Sequence, residues 1–400
     1  GDEAIARAEP QHDLDLRTPR EDGQAERVVQ HQHDGQHDQH ADRDRREAQA
    51  RGQAIEAPHV LGAVAHVLDL VEQQRHLRAG LQEDLADLQR AVAVAPAQRV
   101  ALAVGAVAKE KNKVYLNTGA ATSDLSGKSC NENTIHWVYD TFMLAKSTGG
   151  AMVKTGGDSW FFITADYAFG HALQRDTSDF VKNAGGSVKG AAIYPFPNTT
   201  DFSSFLIQAQ ASGAKVLGLA NAGTDTINTI KQAKEFGITN KMRLAGLLLF
   251  LTDIHSLGLE IAQGIVLTDS FYWDMNAQTR AFSDRYSAKN GGARPTMVQA
   301  GVYSSILHYL KTAHAMGADK AKADGGATIA AMKKMPTDDE CFGKGTIRED
   351  GRKLHPAYLW EVKKPSESKG AWDYYKPLAT TPAEDAFRPA MDGACPLVKA

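Results

Sequence analysis

Three groups of residues have the type and spacing to do chemistry. Tyr167 follows the run Trp160-Phe161-Phe162-Ile163-Thr164 after only Ala165-Asp166. Such an aromatic and β-branched run suits a strand buried on both faces, as in a parallel sheet. Tyr167 then falls at the strand's carboxyl end, where open α/β sheets bind ligands. Its ring and hydroxyl suit a ligand contact there; the alternative is a Tyr that merely caps the core. The second group is Thr118-Gly119-Ala120-Ala121-Thr122-Ser123. Small side chains let backbone groups approach a ligand closely, and the hydroxyls add donors suited to a carboxylate; the alternative is an ordinary strand-to-helix turn. The third group is histidine-based. His136, His171 and Asp166 could imitate an acid–base set, but a surface His at a helix start is more often just solvated. His31, His33, His37 and His40 invite a metal reading, yet nothing apolar nearby could fix a coordination geometry. We assign no metal, no cofactor and no catalytic residue. Neither G-x-G-x-x-G nor G-x-x-x-x-G-K-[ST] occurs, so a nucleotide-using enzyme is disfavoured.

The elements that must position these residues begin near Val100. Val100–Ala108 predicts a helix, Lys113–Leu116 a strand, and Thr134–Ala145 a helix carrying Trp137, Tyr139 and Phe142. After the Trp160 strand, Leu173, Thr177, Phe180, Val181 and Ala184 share a helical face that ends at Gly185-Gly186. Val188–Tyr194 reads as a strand, and Asp201 caps a helix bearing Phe202, Phe205, Leu206 and Ala209. Lys215–Leu219 is the next strand, with Asn221 and Ala222 at its carboxyl end, and Asp225 caps a helix over Ile227–Phe236 that Gly237 stops. Leu244–Leu251 and Gly264–Thr268 complete a sheet. Strict β–α alternation with short loops implies a parallel, doubly wound sheet. The aromatic cluster Phe271-Tyr272-Trp273 then precedes long helices, Thr279–Lys289 and Thr296–Met316. Thr346–Val362 reads as a β-hairpin turning at Glu349-Asp350-Gly351-Arg352.

Composition divides the chain. Four hundred residues, 42% of them hydrophobic, allow two or three domains, and a net charge of −3 argues against a general nucleic-acid binder. No apolar run is long enough to span a bilayer. Before Lys109 there is no Phe, Tyr, Trp, Ser, Asn, Met, Cys or Lys. Residues 1–99 therefore read as polar disorder or as a stretch translated in the wrong frame. Leu77, Leu81, Leu85 and Leu88 lie at helical spacing within them.

From about Val100 to Lys399 the chain resembles the periplasmic solute-binding proteins of the branched-chain amino-acid family, the extracytoplasmic receptors of ABC importers. The resemblance rests on Thr118-Gly119-Ala120-Ala121-Thr122, Asp166-Tyr167-Ala168-Phe169-Gly170, Asp201-Phe202-Ser203, Lys231-Gln232-Ala233-Lys234 and Phe342-Gly343-Lys344-Gly345, in that order. It implies an α/β fold of two Rossmann-like lobes with parallel sheets, joined by three crossovers and closing on a ligand like a hinged trap. The first lobe would comprise 100–145 and 279–340 and the second 158–268 and 345–376, with 377–400 a tail. The ligand set implied is Thr118, Ala120, Ala121, Thr122, Tyr167, Asn221, Ala222, Leu248, Phe271 and Tyr272. The partners implied are a small carboxylate and the importer's permease subunits, with a monomer in the periplasm and no nucleic acid. A sensing domain of the same fold is the alternative role, and an α/β enzyme the less favoured one.

The chain departs from the family's pattern in three places. Ser residues expected at a helix start ahead of the small-residue loop read Gln98-Arg99, so either the pocket is incomplete in this chain or, the reading we favour, the N-terminal sequence is not the native one. The acid that would pair with a ligand ammonium falls in Leu247-Leu248-Leu249-Phe250, which holds none. An aromatic residue expected at the end of the preceding strand is Ala222. With Phe271, Tyr272 and Trp273 near the hinge, these changes point to a larger, flatter carboxylate. Three cysteines in an exported protein permit one bridge and one leftover thiol. The irregular tail needs tethering, so we expect a Cys130–Cys395 bond with Cys341 packed as a small apolar side chain.

Overall fold

The computed structural model describes residues 98–399. The readings of residues 1–97, including the histidine string and the leucine-spaced helix, lie outside them.

Helix α1 (Gln98–Glu110) leads into strand β1 (Tyr115–Asn117), which pairs in parallel with β2 (Thr134–His136). The helix expected over Thr134–Ala145 is therefore corrected. Thr134-Ile135-His136 is a buried strand, and α2 (Thr141–Ala145) starts only where Asp140 accepts the Met143 N–H at 2.8 Å. The β-branched residues favour the strand, and a capping acid can set a helix start only after itself. A π-helical turn (Lys146–Gly150) and a short helix (Ala151–Lys154) carry the chain to the larger sheet.

That sheet is built by strict alternation: β3 (Ser159–Ala165), α3 (Ala168–Asn183), β4 (Ser187–Tyr194), α4 (Ser203–Ala211), β5 (Val216–Ala220), α5 (Gly223–Glu235), β6 (Arg243–Gly246), α6 (Leu251–Leu257) and β7 (Val266–Asp269). Strands β3 to β7 pair in parallel. All seven residues of β3 are buried, the two-faced burial that its continuous apolar run demands. Phe162 faces the cluster that holds Leu173 and Val181 of α3. Phe161 and Ile163 face Leu206, Ile230 and Ile254 of α4, α5 and α6. The strand expected over Leu244–Leu251 stops at Gly246, because Phe250 and Asp253 start a helix: Asp253 accepts the Phe250 N–H at 2.9 Å.

The chain then crosses to α7 (Ala277–Lys289) and α8 (Met297–Met316). Helix α8 is buried along most of its length and receives Trp137, whose Nε1 donates to Ser304 Oγ at 2.9 Å. Helix α9 (Gly325–Lys334) and the small ladder of β8 (Thr337–Asp339) and β9 (Gly343–Gly345) follow. The final crossing returns the chain to the sheet as β10 (Ala357–Val362) and β11 (Tyr375–Thr381), giving the order β11-β10-β7-β6-β5-β3-β4. The mostly parallel sheet flanked by helices, linked by three crossings to the β1–β2 lobe, is an α/β two-lobe architecture.

The hairpin reading needs correcting too. The turn at Asp350-Gly351 exists, but it closes a small loop in which Leu354 donates to Thr346 and Arg352 bridges to His136 of β2. Strand β10 pairs instead with β11 and β7. His355-Pro356 separates the two elements, and Pro supplies no ladder donor. Because β11 runs to Thr381, the tail proper begins five residues later than expected. Beyond it, Cys395 is bonded to Cys130 (Cα–Cα 5.6 Å), and Arg388 donates to the Ser123 carbonyl at 2.9 Å, tying the tail to the β1–β2 lobe. Cys341 is free and buried.

Candidate functional site

The carboxyl ends of β3, β5, β6 and β7 converge with the loop after β1, and these turns hold most of the residues singled out above. Asn117 shapes the small-residue loop. Its Nδ2 donates to the Ala120 carbonyl at 2.7 Å, and its Oδ1 accepts the Ala120 N–H at 3.1 Å. Ala120 and Ala121 are buried, and the Ala121 carbonyl accepts the Thr141 N–H. Thr122 caps the next turn through the Asp124 N–H. Thr118 Oγ1 and Thr141 Oγ1 are buried with no protein partner, two free hydroxyls beside a backbone that small residues leave open.

Tyr139 joins this loop to the other lobe. Its hydroxyl donates to the Gly119 carbonyl at 2.6 Å, and its ring lies edge-on to Phe250, centroids 6.1 Å apart. Burial pushes the Tyr139 phenol well above its ordinary range, and the charges of Tyr167 and Asp269 add to this. Leu248 is buried in the cluster that includes Ala121 and Tyr139, with Tyr167, Ala222 and Phe250 packed against it.

Tyr167 sits at the start of α3, half-buried, and stacks on Phe196 with centroids 4.3 Å apart and planes 18° off parallel. One face of its ring is thus occupied by Phe196, itself 44% exposed after β4. Burial, with the Asp225 charge, pushes the Tyr167 phenol up to about 12, so its hydroxyl remains a donor. Asp225 in turn accepts Tyr194 Oη at 2.7 Å.

Three residues of the expected set have side chains already engaged within the protein. Asn221 is fully buried and its side chain is engaged inside the lobe: Oδ1 accepts Thr226 Oγ1 at 2.7 Å, and Nδ2 donates to Thr229 Oγ1 at 3.3 Å. Phe271 packs edge-on to Phe282 of α7, within the core. Tyr272 points the other way, donating to the Trp372 carbonyl at 2.9 Å and packing on Tyr375. Trp273 Nε1 reaches the same carbonyl, under the Arg294 guanidinium. Phe271 and Tyr272 thus enter different cores, while Tyr272 and Trp273 share the Trp372 carbonyl. Sequence spacing could not separate these directions. The histidines are likewise apart in role: His171 meets Asp166 at the surface, 2.8 Å, while His136 is buried with Nε2 against the Tyr139 carbonyl at 2.8 Å.

Sequence reading missed Tyr139, Phe250 and Asp269. Sequence spacing puts Tyr139 inside a helix, and in the sequence Phe250 stands out only as a non-acid. Asp269, ending the apolar run Val266-Leu267-Thr268, carried the available signal: an acid closing a buried strand. A small cavity of about 100 Å³ lies on the hinge side, lined by Ser270, Asn276, Cys341, Phe342 and Tyr358. Among the described residues no cluster of His, Cys, Asp or Glu could hold a metal, and no helix is long and apolar enough to cross a membrane.

Residues 83–371 match the family model described as periplasmic binding protein. A periplasmic binding protein from Burkholderia mallei is 48% identical, with a TM-score of 0.72 over 84% of this chain and 85% of that one. A branched-chain amino acid ABC transporter periplasmic ligand-binding protein from Burkholderia xenovorans is 33% identical, with a TM-score of 0.74 over 84% and 94%. The Leu/Ile/Val-binding protein homolog 4 of Brucella abortus is 20% identical over 71% of this chain and 69% of its own length. These relatives are solute-binding proteins, not enzymes, and the chain belongs to the periplasmic binding protein family of ABC transporters.

Proposed function

We propose that the protein is the extracytoplasmic receptor of an ABC importer that captures a small carboxylate lacking an amino group, aromatic or similarly flat, and delivers it as a monomer to the permease subunits in the membrane. The first lobe offers the carboxylate the Thr118–Thr122 loop, with the unpartnered hydroxyls of Thr118 and Thr141 at hand. The second lobe offers Tyr167, Ala222, Leu248 and Phe250 around the remainder.

The observation that carries this reading is the apolar segment Leu247–Phe250. Leu247, Leu248 and Leu249 are buried and Phe250 faces Tyr139, so this segment itself offers a ligand ammonium no counter-charge. Removing an ammonium from water without a counter-charge costs several kcal/mol. A flat ring has no such penalty and gains from edge-on aromatic neighbours.

The test is a thermal-shift screen against amino acids and aromatic acids, followed by calorimetry, because a ligand held only by the folded state raises the midpoint. Benzoate-like acids should bind more tightly than leucine or valine. Tight leucine binding with no response to any benzoate-like acid would overturn the reading.

A further inference from the structure

We propose that Asp269 is the group with which the second lobe reads its ligand, its Oδ2 meeting an uncharged oxygen, a hydroxyl or oxo group, carried at the end of the ligand away from its carboxylate. The proposal deepens the carboxylate reading and rests on it.

Position comes first. Asp269 is the last residue of β7, at the carboxyl edge of the parallel sheet. The pairing of Gly246 with Leu267 puts it two residues beyond the end of the β6–β7 ladder, level with the Leu247–Phe250 segment. It acts on the phenol of Tyr139, a residue of the opposite lobe that touches Phe250. The carboxyl therefore stands at the sheet's carboxyl edge, beside the strand end that carries Leu247–Phe250.

The polar accounting comes second. Asp269 is fully buried; Oδ1 accepts the Phe271 N–H at 3.1 Å, while Oδ2 has no protein partner. Buried polar atoms are nearly always paired, and an unpaired carboxyl oxygen at a strand end is a group held ready for something else. The titratable side chains acting with it are phenols and one further acid. Tyr139 comes from the first lobe, and Tyr375 of β11 is pushed up by its burial and, after that, by Asp269, Asp253 and Tyr272.

The chemistry follows from that setting. Burial raises the Asp269 carboxyl to about 8, against the backbone N–H bonds that favour its ionised form. At neutral pH it carries its proton, as a donor and acceptor in one group. That form suits a hydroxyl or oxo oxygen. A ligand ammonium would require the acid to ionise on binding and to release a proton.

The rival use of Oδ2 is internal, since Tyr375 Oη is also buried without a partner and senses the Asp269 charge. Calorimetry on the full chain separates the two, with 4-hydroxybenzoate, benzoate and leucine as probes at pH 6.5 and 8.5. The proteins are wild type, Asp269→Asn, Asp269→Leu and Tyr375→Phe. Asn keeps the acceptor for Phe271, so it guards against loss of folding. We expect wild type at pH 6.5 to prefer 4-hydroxybenzoate over benzoate by about tenfold, the size of one good hydrogen bond. Asp269→Leu should bring that ratio near one. Asp269→Asn should retain most of it, and to the same extent at pH 6.5 and 8.5. Tyr375→Phe should leave it standing. A ratio unchanged in Asp269→Leu, or lost equally in Tyr375→Phe, would overturn the assignment. So would leucine binding most tightly with release of a proton. If benzoate binds but the ratio ignores Asp269, only this inference fails; if neither acid binds, the carboxylate reading fails and takes this one with it.

Discussion

Replacing Asp269 by Asn should change how stability depends on pH, whatever the ligand. In the folded protein burial holds the carboxyl up to about 8, against an ordinary value of 3.8. Between those values the folded chain keeps a proton that the unfolded chain has lost. Stability must therefore fall as pH rises, by about 1.4 kcal/mol per unit. The contribution is fully present below about pH 4 and is lost as pH climbs through about 8. From pH 5 to pH 8 the span is about three units, and the curve flattens near its upper end, so Asp269 alone removes about 3 to 4 kcal/mol. Burial and the nearby Arg352 push His136 well below its ordinary range. His355 is held down by burial and Lys353. Both oppose this trend at acid pH, but they are present in both proteins and cancel in the comparison. Asn preserves the acceptor for the Phe271 N–H and does not titrate. Urea unfolding followed by tryptophan fluorescence at pH 5, 6, 7 and 8 gives the unfolding free energy of each protein. The difference between wild type and Asp269→Asn should shift by about 3 to 4 kcal/mol in favour of the variant across that range. A difference that stays constant from pH 5 to 8 would refute the buried, proton-holding carboxyl.

Other substitutions probe the remaining parts. Tyr167→Ala should weaken ligand binding by about 1 to 3 kcal/mol, for an aromatic contact and a hydroxyl bond, with little change in stability; an unchanged dissociation constant in calorimetry would make Tyr167 a cap on the core. Gly170→Ala should be strongly destabilising, because its Cβ would lie 2.2 Å from the Ala165 carbonyl and 3.0 Å from that of Ala220; overpacking of this kind costs about 1 to 3 kcal/mol or more, and a wild-type melting temperature would contradict the α3–β3 packing. The Cys130–Cys395 bond closes a separation of 265 residues, so its reduction should remove roughly 5 to 6 kcal/mol in the chain-entropy model. A non-reduced digest should link those two peptides and leave Cys341 free; alkylation of Cys341 in the folded state would show that it is not buried.

Much of the second lobe was legible in the sequence because local physics decides it. The Trp160–Thr164 run declares a two-faced buried strand, and α3 and α5 show their apolar faces at helical spacing. Tyr167 at a strand's carboxyl end follows from β–α alternation alone. The errors fall where distant residues decide. Thr134–His136 is a strand because β1 offers a parallel edge, and Ala357–Val362 finds β7 and β11 where sequence proximity suggested Thr346. Side-chain direction was also beyond the sequence. Phe271 and Tyr272 are adjacent aromatics, yet one joins the core beside α7 and the other the core beneath β11. Asp269 is the sharpest case. Its identity and place at the end of an apolar run are written in the chain, but a carboxyl's charge depends on what surrounds it. Only the packing that encloses Asp269, satisfies Oδ1 and leaves Oδ2 without a partner turns an ordinary acid into one that keeps its proton.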